Sequence, residues 1–269
     1  MCIAYLAIAA HPDWPLLIAA NRDEYHQRPC LPAAPWEANP DVIAGIDCQA
    51  SGTWLGVTRS GRFALITNFR DPGKQVENAP SRGELVSQFL TGRDTPQAYS
   101  NTVHASGSRY NGFNLIVGDT NQAFYIGNQS GQAQAQRLAP GRYVLSNHLL
   151  DTPWPKAERL RQALDAFPLE TLDESLAPVF EILKDNTPAP DHELPSTGLT
   201  LEWERMLSSP FIISQEYGTR CSTVIALHAS GRGVLSEISY DPSGTPTQRH
   251  DWPFATTTAQ PNVPSKLIA

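Results

Sequence analysis

The chain has 269 residues, 41% hydrophobic and 17% charged, enough to bury a sizeable core as one globular domain. Its net charge of −7 and pI near 5.5 give no electrostatic case for nucleic acid or an anionic membrane surface. No apolar run approaches the roughly 20 residues a spanning helix needs, so no transmembrane segment is expected.

In chain order, Cys2 leads into a strand over Ile3 to Ala9. The turn His11-Pro12-Asp13 then separates it from a second strand, Leu16 to Ala20. No Lys or Arg precedes the first run and the turn stops it early, so it does not read as a signal peptide. The polar block Asn21-Arg22-Asp23-Glu24 follows the second strand, and then a proline-rich stretch containing Pro29, Pro32, Pro35 and Pro40. Strands Thr53 to Thr58 and Arg62 to Thr67 flank Ser60-Gly61, a hairpin signal. Ser81 and Glu84 form an S-x-x-E capping box ahead of Leu85, Val86, Phe89 and Leu90, which reads as a helix. Thr95-Pro96 opens a second helix with an N-cap and a proline at its first position.

Strands resume at Phe113 to Gly118, Ala123 to Gly127 and Arg142 to Ser146. Two helices follow, Trp154 to Phe167 and Leu172 to Lys184, the latter behind a T-x-x-E box of Thr171 and Glu174. Asn186 to Pro195 reads as an exposed loop. Strands near Ser222 to His228 and Val234 to Tyr240 complete one domain over residues 1–260, and residues 261–269 read as a frayed tail. Helices that fall in blocks between hairpins favour an α+β fold with antiparallel sheets over a doubly wound parallel one.

The chemistry concentrates at Cys2. Were Met1 removed, one carbon would carry both a thiol, with an ordinary pKa of about 8.5, and an amine of about 7.7–8.0. A nucleophile and its base would then sit together. Read alone, Cys2 is equally a small buried hydrophobe on a strand. Arg22 would favour the thiolate and Asp23 or Glu24 would hold the amine, unless the block is an ordinary solvated turn. Asn68 and Asn147, at strand ends, carry neutral donors suited to an oxyanion, although asparagine is common wherever a strand turns. Arg220 can fix a substrate carboxylate or support the amine, or simply sit at the surface. Cys2, Cys30, Cys48 and Cys221 show no C-x-x-C pairing, so no metal ribbon or disulfide scaffold is expected and a reducing cytoplasm is the default setting. The histidines show no H-E-x-x-H spacing.

Several blocks occur together and in order: Met-Cys-Ile at the start, Asn21-Arg22-Asp23-Glu24, Thr53-Trp54-Leu55-Gly56, Thr67-Asn68 and Arg82-Gly83-Glu84-Leu85-Val86. Tyr110-Asn111-Gly112-Phe113-Asn114-Leu115, Ser146-Asn147, Thr152-Pro153-Trp154-Pro155-Lys156 and Tyr217-Gly218-Thr219-Arg220 complete the set. Across Met1 to about Tyr240 the chain resembles the NRDE family, also called the transport and Golgi organization protein 2 family. The resemblance implies an N-terminal-nucleophile hydrolase-like fold, a four-layer αββα sandwich of antiparallel sheets. By analogy with amidases of that fold, the site residues fall on Cys2, Arg22, Asp23, Asn68, Asn147 and Arg220. Here Arg22 and Asp23 are adjacent, whereas those amidases set them three residues apart, which leaves Asp23 and Glu24 both open as the site carboxylate.

Two functions compete at this level. One is a cysteine amidohydrolase acting on a non-peptide C–N bond, needing no cofactor. The other is a non-catalytic carrier on the same scaffold for haem, or for an acyl-coenzyme A or lipid, with Cys2 or His148 as an iron ligand. The expected partner is accordingly a small-molecule amide, an acyl-thioester or haem. Glutamine amidotransfer is a third reading, which would need a synthase partner to receive ammonia.

Overall fold

The computed structural model describes residues 2–74 and 76–256, so the expected tail at 261–269 lies outside the described residues. Thirteen strands build two antiparallel sheets. The first contains β1 (Cys2–Ile8), β2 (Leu16–Tyr25), β10 (Gly141–Leu145), β11 (Tyr217–Leu227), β12 (Arg232–Tyr240) and β13 (Pro246–Ala255), in the order β10-β1-β2-β11-β12-β13. The second runs in sequence order through β3 (Cys30–Trp36), β4 (Asn39–Asp47), β5 (Leu55–Thr58), β6 (Phe63–Asn68), β7 (Phe113–Gly118), β8 (Ala123–Gly127) and β9 (Gln136–Leu138).

Strand periodicity of two sorts the apolar residues into three packed layers. From β1, Ala4 and Leu6 enter the core between the sheets, joined by Ile18, Leu65, Ile116 and Ile225. The alternate residues Ile3, Tyr5 and Ala7 face α3 (Pro155–Asp165) and α4 (Ala177–Leu183) through Leu160, Leu164, Val179 and Leu183. On the far side, Val42, Ala64, Leu115 and Val117 pack under α1 (Gly83–Thr91) and α2 (Pro96–Ser106) through Val86, Phe89 and Val103. The layer order is helix, sheet, sheet, helix, the αββα sandwich expected of an N-terminal-nucleophile hydrolase-like chain.

Several local expectations are corrected. Asn21 to Glu24 is not a turn but the second half of β2, because β1 pairs Cys2 with Arg22 while β11 pairs Asp23 with Thr219 and Glu24 with Gly218. The proline-rich stretch holds β3 and β4, and β3 tolerates Pro32 and Pro35 because it is the edge of its sheet. Neither capping box forms. Ser81 Oγ donates to the Ser51 carbonyl and Glu84 accepts from Tyr110 Oη. Thr171 Oγ1 turns back to Pro168, and the second helix begins only at Ala177. Thr95 does cap α2, accepting from the Ala98 N–H. β9, β13 and the short α5 (Leu201–Met206) had no counterpart in the sequence reading.

Candidate active site

Cys2 opens β1 directly opposite Arg22 on β2, and Arg22 in turn lies opposite Cys221 on β11. Partners in register share a face, so these three side chains belong to the intersheet side with Ala4 and Ala20. Arg22 is 5% exposed. Its guanidinium stacks 4.2 Å above the Trp54 ring and reaches Asp47 Oδ2 at 3.6 Å and Cys30 Sγ at 3.8 Å. Trp54 lies there because Gly45 leaves room: a Cβ at that position would sit 2.3 Å from Trp54 Cη2. Asp47 also accepts from Arg28 Nε at 2.9 Å. Burial pushes the Asp47 carboxyl up, but bonds from Arg28 and the Ala50 and Gln49 N–H groups outweigh it and hold it low.

Asp23 projects from the opposite face of β2. It is 1% exposed and accepts from Thr219 Oγ1 at 2.7 Å, while Tyr217 Oη donates to its carbonyl. Burial raises the Asp23 carboxyl, opposed by the Lys156 ammonium and the Thr219 hydroxyl. Glu24, by contrast, caps its own neighbour Tyr25 and sits 3.9 Å from Arg28 at the cleft wall. Of the two, Asp23 is the buried carboxylate.

The cleft at Cys2 encloses about 240 Å³, lined among others by Arg22, Asp23, Glu24, Trp54, Asn68 and Arg82. The thiol does not gain the acidity expected from Arg22. Burial dominates and raises its pKa, the Asp23 charge adds to that, and Arg22 together with a hydrogen bond from the Asp23 N–H only partly offset it. Cys2 accordingly rests as a thiol.

The two asparagines are brought together but occupy different positions. Asn68 lines the cleft, and among the described residues its carboxamide has no hydrogen-bond partner. Asn147 is fully buried: Nδ2 donates to the Asn68 carbonyl at 3.1 Å, and Oδ1 accepts from Lys156 Nζ at 3.5 Å and from Ser146 Oγ. Arg220 does not line the Cys2 cleft, but its Nη2 lies 3.8 Å from Cys30 Sγ, the sulfur that Arg22 also reaches. It is the extra residue of a bulge between Thr219 and Cys221, and its guanidinium donates to the carbonyls of Tyr25 and Arg28, bracing the turn after β2.

Three participants escaped the sequence reading. Lys156 is 1% exposed, and burial together with the nearby Arg70 charge lowers its pKa to about 8 despite Asp23. Arg70 Nη1 donates to Glu204 Oε2 at 2.7 Å, both side chains being 4% exposed, and the guanidinium lies 4.7 Å from the Trp154 ring. The only available signal was Lys156 within the Trp154-Pro155-Lys156 block, since nothing in sequence announces a lysine that will be sealed. His148 packs between the rings of Phe69 and Trp154 and contacts Thr152 Oγ1, with its pKa lowered by burial. Among the described residues no group of three or more His, Cys, Asp or Glu is placed to hold a metal ion, and no helix is long and apolar enough to cross a membrane.

A larger cavity of about 840 Å³ opens at the other end of the strands, by Ile8, Leu16, Phe63 and Leu227. No cysteine lines it, whereas Cys2 lines the smaller cleft.

Comparison with known proteins gives consistent relatives. The family model described as Transport and Golgi organisation 2 matches residues 1–242. A Transport and Golgi organization protein 2 homolog of Bos taurus is 35% identical over 276 residues, covering 94% of this chain and 99% of that one. The Drosophila melanogaster Transport and Golgi organization protein 2 is 25% identical over 287 residues, covering 93% and 97%. Among solved structures, a Caenorhabditis elegans N-acylethanolamine-hydrolyzing acid amidase ortholog is similar over 83% of this chain and 92% of that one, with 13% identity and a TM-score of 0.47.

Proposed function

This chain belongs to the Transport and Golgi organisation 2 family, and we propose that it is a cysteine amidohydrolase with Cys2 as an amino-terminal nucleophile once Met1 is removed. The observation that carries this reading is Cys2 itself: first residue of an interior strand, opposite Arg22, opening into the cleft that also presents Asn68.

Because Cys2 rests as a thiol, the proton leaves only as the bond forms. The α-amine takes it, sulfur attacks the amide carbon, and the oxyanion is met by the Asn68 carboxamide. The amine then returns the proton to the leaving nitrogen as the C–N bond breaks. Water next attacks the Cys2 thioester, releasing the acid and restoring the thiol. Arg22 supports the developing charge on sulfur, and the Asp23 carboxylate holds the ammonium in between. Asn147 acts one step back, fixing the Asn68 backbone. A reducing cytoplasm, with all four cysteines as free thiols, is the setting proposed.

A volume of 240 Å³ lies below the roughly 300–1,000 Å³ of drug-sized ligand pockets, which favours a compact amide over a haem or a lipid cargo. Cys2→Ser should retain the melting temperature and lose at least about a hundredfold in amide turnover. Rapid quenching of wild type should trap an acyl group on the Cys2 peptide by mass spectrometry. An unchanged rate in Cys2→Ser would refute the mechanism.

A further inference from the structure

We infer that the Cys2 cleft contains an anion-binding subsite built on Arg82, and that its ligand is a small molecule bearing a carboxylate close to its reacting carbonyl. The carboxylate half of this statement stands on the cleft alone; the reacting carbonyl rests on the hydrolase reading above.

The charges on the cleft wall balance except at one place. Arg22, Arg28 and Arg82 line it, with Asp23, Glu24 and Asp47. Asp47 sits between Arg28 at 2.9 Å and Arg22 at 3.6 Å, and Glu24 lies 3.9 Å from Arg28. Asp23 is turned to the other face of β2, where Lys156 and Thr219 oppose its charge. Arg82 is the remaining cation. Its Nη1 donates to the Gly112 carbonyl at 3.0 Å, and among the described residues no carboxylate lies within ion-pair distance of it. The side chain is half-buried, and burial lowers its pKa against the opposing charge of Glu24. Arg82 lines the same cleft as Cys2, Glu24 and Arg28. A half-buried guanidinium without an ion-pair partner can take an arriving carboxylate on the remaining N–H groups of its fork.

Arg82 is also held in place. Gly52, at φ +94°, lets the turn before β5 touch the start of α1, where a Cβ would fall 2.6 Å from the Gly83 carbonyl carbon. The Thr53 N–H reaches the Gly83 carbonyl at 3.3 Å. The guanidinium is thus presented from a backbone fixed on both sides.

Iodoacetate and iodoacetamide differ by one charge and alkylate the same thiol, so they read the field at Cys2 without any turnover. Rates at Cys2, followed by peptide mass spectrometry, are divided by those at the exposed Cys48 in the same sample. The normalised iodoacetate preference should be about tenfold or more. Arg82→Gln should bring it close to one, and Arg82→Lys should keep part of it. In wild type alone, N-acetylglycine should slow Cys2 alkylation while N-acetylglycinamide should not, which covers the case of an unfolded variant. A normalised preference near one, a preference that survives Arg82→Gln, or a Cys2 that neither reagent reaches overturns the subsite. Charge-selective alkylation without any amide hydrolysis would sink the hydrolase reading and leave the subsite standing; hydrolysis indifferent to ligand charge would do the reverse.

Discussion

At the scale of single residues, the adjacency of Arg22 and Asp23 lets one strand present a guanidinium to one layer and a carboxylate to the next. Neighbours on a strand point to opposite faces, so Arg22 meets the sulfur side while Asp23 enters the layer that contains Lys156. Lys156 has a measurable cost. Its pKa of about 8 lies below the unfolded lysine value near 10.4, so at pH 7 it is charged in both states and burial penalises the fold. Between those values the unfolded chain holds more protons, and stability contributed here rises with pH. Lys156→Met should therefore melt higher than wild type at pH 7, by at most about 3 kcal/mol, and lose that advantage by pH 10. Its turnover should fall because Asn147 loses a donor. Melting curves of both proteins at the two pH values check this. The Arg70–Glu204 pair behaves oppositely: Glu204→Ala strands a buried guanidinium and should cost about 3–5 kcal/mol in denaturant unfolding.

At the scale of elements, what decided the site was pairing that no local pattern announces. The hydrophobic alternation of Ile3 to Ala9 and the turn at Ser60-Gly61 were readable, as was the Thr95 cap, because each is a property of neighbouring residues. The charged end of β2 was not, since Asn21 to Glu24 become strand only when β1 and β11 flank them. The placement of Arg220 was hidden for a related reason: a bulge redirects one side chain, and sequence does not mark where the bulge falls. The edge of the second sheet is likewise fastened from outside. Glu237 on β12 accepts from the Ala33 N–H at 2.7 Å and from Thr223 Oγ1, and Trp252 Nε1 donates to the Ala33 carbonyl. Glu237→Ala should cost about 2–4 kcal/mol in urea unfolding by orphaning both donors. Gly45→Ala should be felt at Arg22, by driving the Trp54 ring off the guanidinium, with lower stability and slower turnover per mole of folded protein than wild type.

Across the whole molecule, the two sheets are cross-stitched at the cysteine end. Thr67 Oγ1 donates to the Ser146 carbonyl, the Arg70 N–H to the Asn147 carbonyl, and Asn147 Nδ2 to that of Asn68. Family membership and layer order were legible from motifs spread along the chain, whereas this stitch joins segments about 80 residues apart and had no local signature. An extension ahead of Met1 should leave the sandwich and its melting temperature intact yet abolish turnover, while the same extension at the carboxyl end should not; intact mass and assay of both forms decide it. The stitch also bears on biosynthesis. Ser146 Oγ reaches the Cys2 carbonyl across 144 residues, and β1 finds β10 at a slightly shorter remove. At roughly 5–20 residues per second, a ribosome needs about 7–30 seconds to supply that partner. For that interval the leading cysteine hangs outside any finished fold, open to a trimming peptidase. The amino terminus can thus be processed on a nascent chain well before the cleft at Cys2 has come into being.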